Sequence, residues 1–256
     1  MNELLPERLA RFNSPDFHLR KGLGSGVNGD VDASVMQAVD WLAGGDGTTD
    51  SPACASPVIA RYCIRLNDSA LFAAHRDLLK PYAPRIVGTR DPSGRIDCKR
   101  GFLCADRAVR VFAPIILRAA GKTEWADELA ALPAITDTNS ACCARDAARK
   151  IRDAADDAAY AAAAAYAADD AAYAADAAYA AADAAYAADA AAYAADDAAY
   201  AAAAAYAADA AYAADAAAYV ADAAAYAAEE LAEKCGDELR QESLRLLDDL
   251  ITLGAS

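Results

Sequence analysis

Apolar positions in residues 1–135 recur at helical spacing, in short runs cut by Gly and Pro. Val35, Met36, Val39 and Leu42 share one face of a helix over 33–43, with Asp32 placed to cap it and Gly44-Gly45 to end it. Pro57 suits the first turn of a helix over 58–67. Ser69 opens a further helical run to Leu79, stopped by Pro81 and Pro84. A longer helix is predicted over 102–120, kinked near Pro114 and ended by Gly121, followed by a short amphipathic piece over 125–132. No run alternates as a half-buried strand would. The expectation is an all-α fold, with a small helical N-terminal domain over 1–135.

The pattern changes beyond Pro133. From Ala134 to Cys235 there is neither Gly nor Pro, and residues 153–233 comprise 52 Ala, 13 Asp, 11 Tyr, 3 Glu, one Val and one Leu. Alanine has the highest helix propensity, so helix is the local expectation throughout. The tyrosines stand six or seven residues apart with an aspartate usually midway, as in Tyr173, Asp176, Tyr179, Asp183, Tyr186, Asp189 and Tyr193. Tyr and Asp thus mark one candidate interaction ridge with a period near 3.3. On a helix of 3.6 residues per turn this ridge slips backward by about 60° per tyrosine, faster than the roughly 150 Å pitch of a two-stranded coiled coil absorbs. The repeat, 136–235, is therefore expected as extended or back-folded helices. Helix faces of Ala bury little area, so Tyr must supply most of the packing. An amphipathic stripe, including Leu244, Leu246, Leu247, Leu250 and Ile251, returns in 236–256, which is expected to dock on the rest of the chain.

Charge follows the same division. Residues 1–152 carry 21 Lys/Arg and 18 Asp/Glu, whereas 153–233 carry 16 acids and no base, the source of the overall −15. Such a tract repels nucleic acid and anionic membranes and attracts basic partners. Eight bases gather between 85 and 118: Arg85, Arg90, Arg95, Lys99, Arg100, Arg107, Arg110 and Arg118, offset by Asp91, Asp97 and Asp106. They read either as a solvated face or as an anion- or partner-binding surface, whose nearest candidate ligand is the acidic tract of the same or a neighbouring copy.

Other chemistry is sparse. Gly24 to Gly29 fits GxGxxG, but without a preceding strand it reads as a loop. His18 and His75 are the two histidines; Asp77 lies near His75 in sequence, but no motif accompanies either. The spacings Cys54…Cys63 and Cys98…Cys104 are not those of a zinc knuckle, and Cys142-Cys143 reads as a pair of small residues opening a helix. No catalytic residue, metal or cofactor is expected. An odd cysteine count, an N-terminus unlike a signal peptide and no long uncharged apolar stretch point to the cytoplasm and away from the membrane.

The blocks MQAVDWLAGG (36–45), SPACASPVIARYCIRLND (51–68), LLKPYAPRIVGTR (78–90) and FLCADRAVRVFAPIILRAAG (102–121), followed by AAYAADAAYAA, resemble uncharacterised Ala/Tyr-rich repeat proteins of bacteria and their phages. The resemblance implies a bacterial or phage origin and no particular chemistry. The leading expectation is a non-enzymatic structural or interaction protein, with a homo-oligomer or a basic protein as partner. The alternatives are an acidic decoy of a nucleic-acid-binding protein and a small anionic-ligand binder using the basic cluster. Asp repeats about every 10 Å along a helix, sparser than the charge of DNA, which weakens mimicry.

Overall fold

The computed structural model describes residues 4–23, 32–119, 121–155 and 229–254. Within them the chain is mostly helical. Helix α1 (Pro6–Phe12) leads to β1 (His18–Leu19), which pairs in parallel with β2 (Asp32–Ala33) in the register His18 with Asp32 and Leu19 with Ala33. This two-residue ladder is a departure from the strand-free expectation, and it is too short for alternation to reveal. Asp32 lies in β2, its carboxylate 3.3 Å from Arg20 Nε. It does not cap the next helix. That role belongs to Ser34, whose hydroxyl accepts from Gln37 N while the Gln37 side chain accepts from Ser34 N. This Ser-x-x-Gln capping box starts α2 at Val35–Leu42.

Ser56 caps α3 (Pro57–Asp68), with Pro57 where no N–H is needed. After it the chain does not form the expected helix over 69–79. Turns lead instead into a 3-10 segment (Arg76–Tyr82) and a single turn, α4 (Ala83–Ile86). The segment contains Pro81, which lacks a donor, and a tight, short element tolerates that loss better than an α-helix would.

The long helix starts earlier than the apolar pattern implied. Asp91 accepts from the N–H groups of Ser93 and Ile96, and α5 (Arg95–Arg107) begins there. It widens into a π turn (Ala108–Phe112) and resumes as α6 (Ala113–Ala119). Pro114 cannot donate back to Arg110 and its ring crowds that carbonyl, which accounts for a widened turn just ahead of it. Gly121 then takes a left-handed conformation, φ 76°, and the chain turns into α7 (Thr123–Ala130).

Helix α8 (Thr138–Ala155) follows; Asp137 accepts from Ser140 N at its start. Its buried Ala141, Ala144, Ala148 and Ile151 form a stripe, and the helix packs against α7. The last helix, α9 (Glu229–Thr252), buries Cys235, Leu239, Ser243, Leu246, Leu247, Leu250 and Ile251, packing against α3, α5, α6 and the π turn. A single cluster unites Phe12, Phe17, Met36, Tyr62, Phe72, Phe112 and the apolar stripe of α9. The ridge from Tyr173 to Tyr193 and the glycines 24–29 lie outside the described residues.

Candidate interaction surface

The basic cluster is distributed over α4, the loop before α5, α5 itself, the π turn and α6, and α9 passes along it. Arg85 Nη1 lies 2.7 Å from Asp248 and its guanidinium stacks 5.6 Å from the Tyr82 ring centre. Arg107 lies 2.7 Å from Asp249 and 3.8 Å from Glu242. Glu242 and Asp249 are seven residues, about two turns, apart, so one arginine on α5 meets both. A groove of about 380 Å³ runs beside these pairs, lined by Tyr82, Gln241, Leu244, Arg245, Asp248 and Asp249. Burial, reinforced by the Asp248 charge and opposed by Arg85, raises the Tyr82 hydroxyl above its ordinary range.

Arg100 is the exceptional member. It is 1 % exposed. Its guanidinium donates to Asp97 at 2.8 Å, to the Thr89 carbonyl at 3.1 Å and to the Leu250 carbonyl of α9 at 2.8 Å. The same Asp97 oxygen accepts from the Ser56 hydroxyl at 2.5 Å. Arg100 therefore joins the α3 cap, the α4–α5 loop and the end of α9. Arg110 pairs one turn back with Asp106, which also accepts from Ile135 N, and Arg118 pairs with Asp127 of α7.

Arg90, Arg95 and Lys99 differ from all of these. They are exposed, and among the described residues none makes an ion pair or side-chain hydrogen bond. The structure thus separates the cluster: Arg85, Arg100, Arg107, Arg110 and Arg118 hold elements together, while Arg90, Arg95 and Lys99 face solvent at the start of α5. Sequence reasoning missed the acids on α9. Their signal was present in the two-turn spacing of Glu242 and Asp249, but nothing local says which bases they meet.

The histidine geometry also differs from sequence proximity. Asp77 pairs with His18, Nδ1 to Oδ2 2.8 Å, and accepts from Leu19 N, fixing β1 to the 3-10 segment. Burial pushes the Asp77 carboxyl up, but the bonds from His18 and Leu19 outweigh it and leave it below its ordinary range. Cys63 and Cys104 are buried with thiols raised by desolvation, whereas Cys143 on α8 is exposed. Among the described residues no group of three or more His, Cys, Asp or Glu side chains could hold a metal. No helix there is long and apolar enough to cross a membrane. Comparisons with protein-family models, curated proteins and solved structures find no match to the chain.

Proposed function

We propose that the protein is a non-enzymatic structural or interaction protein whose acidic repeat mediates self-association or the binding of a basic partner. The observation that carries this reading is the separation of charge along the chain. Residues 153–233 hold 16 acids and no base, while most of the nearby basic cluster is already paired with Asp97, Asp106, Asp127, Glu242, Asp248 and Asp249. An acidic tract with no bases of its own lowers its electrostatic free energy by meeting positive charge on another molecule. Repeated Tyr adds rings that bury large area at low entropic cost.

The test is light scattering of the full chain across salt concentration, alongside titration with oligolysine as a basic probe. Association or oligolysine binding should be strong at low salt and fade as the Debye length shrinks from about 30 Å to about 3 Å. Replacing Asp176, Asp183 and Asp189 by Asn should weaken whichever interaction is seen. A chain that stays monomeric and ignores oligolysine at every salt concentration overturns the reading.

A further inference from the structure

Arg90 stands on the loop before α5 and Arg95 and Lys99 on its first turns, all exposed and, among the described residues, with no ion pair or side-chain hydrogen bond. Arg95 and Lys99 are four residues apart in the first turns of α5, hence neighbours on one helix face. The loop that carries Arg90 is tied down. The N–H groups of Gly88 and Arg90 both donate to the Cys54 carbonyl, at 3.0 and 3.2 Å. Thr89 accepts from Ser56 N through its hydroxyl, and its carbonyl accepts from buried Arg100. The adjacent acids are turned to other tasks. The Asp97 carboxylate lies in the interior against Ser56 and Arg100, and Asp91 accepts from the N–H groups of Ser93 and Ile96 ahead of the helix. A row of exposed positive charge thus stands on a braced loop and helix, offset by Asp91 alone among its sequence neighbours.

We propose that Arg90, Arg95 and Lys99 form the docking surface for the acidic tract, residues 153–233, of a second copy of this chain. This deepens the reading that the tract binds basic surfaces, and it rests on it. Charge complementarity selects the occupant: the tract carries 16 acids without a base, and the row is its opposite in sign. The second copy is favoured because, among the described residues, these three cations meet no acid, unlike Arg85, Arg107 and Arg118. A row along a helix face and the loop before it also suits an extended polyanion better than a single small anion.

The experiment is sedimentation velocity on the full chain at low and high salt, comparing wild type with R90E/R95E/K99E and with the neutral R90Q/R95Q/K99Q. Among the described residues none of the three side chains has a partner, so circular dichroism and melting should be unchanged. Reversal should weaken self-association at low salt by on the order of tenfold or more, and neutralisation by less, as exposed charge pairs require. Mixing the reversed variant with D176K/D183K/D189K should restore association between the two unlike chains. Three results overturn the proposal. One is undiminished self-association of the reversed variant, in which case the tract reading survives with another surface as receiver. Another is a wild type monomeric at low salt; oligolysine binding then decides whether the tract reading also falls. The third is binding of a duplex oligonucleotide that the reversal abolishes while self-association is untouched.

Discussion

Arg100 shows how much a single buried charge can decide. Its bonds to Asp97, Thr89 and Leu250 satisfy a guanidinium held almost wholly out of water. Removing it strands the Asp97 carboxylate in the interior, a loss expected to cost roughly 3–5 kcal/mol. Urea unfolding of Arg100→Met should show that loss, and the paired variant with Asp97→Leu should recover part of it, since no buried charge is then left alone. A single variant within about 1 kcal/mol of wild type would contradict the account. In the sequence Arg100 is indistinguishable from its basic neighbours, because the carbonyl it holds arrives from 150 positions downstream. Exposed acids make a different prediction. The Arg11 and Ser14 side chains hold the Asp16 carboxyl down at about 2, against an ordinary 3.8, and the Ser140 N–H and hydroxyl lower Asp137. Groups lowered by folding stabilise it fully above their unfolded value and lose that effect as pH falls through the folded one. Melting temperature should accordingly drop between pH 4 and 2 by less in Asp16→Asn than in wild type.

At the scale of elements, apolar periodicity marked helices well and their boundaries less well. The Val35, Met36, Val39 and Leu42 face is fully buried in α2, as its spacing requires. The start of α2 depended on a capping box that Ser34 and Gln37 complete and Asp32 cannot, since Asp32 is held in β2. The stretch 69–82 illustrates the opposite case. Leu71, Phe72 and Leu79 are buried, yet the backbone turns rather than continuing as α-helix. Helix α9 carries its own test. Gly236 lies in its interior, and a methyl group there would meet nothing closer than Leu71 Cδ1 at 4.0 Å. Gly236→Ala should therefore stabilise by about 0.5–1 kcal/mol through backbone entropy, read as a raised melting temperature. A fall in stability would mean that the Leu71 contact is tighter than this spacing.

Across the whole molecule, charge and packing are divided between different stretches of chain. The apolar stripe of α9 completes a core begun by α2 and α3, and its acids meet Arg85 and Arg107 around the rim of that contact. These rim pairs are partly exposed and individually weak, so the buried leucines hold the helix and the charges set its register. The two helices that flank 156–228 both pack on this body, α8 through α7 and α9 through α3, α5 and α6. The sequence by itself determined the helical character, the division of charge and the amphipathic stripe of the last helix, whereas the buried stripe of α8 lay within what it read as the start of the repeat. Those three features follow from local propensity, periodicity and composition, which any stretch of chain carries with it. Only the tertiary structure decided which members of the basic cluster are internal ties and which remain available. That distinction depends on partners such as Leu250 and Asp249 brought near from far along the chain, and spacing in sequence carries no measure of that distance.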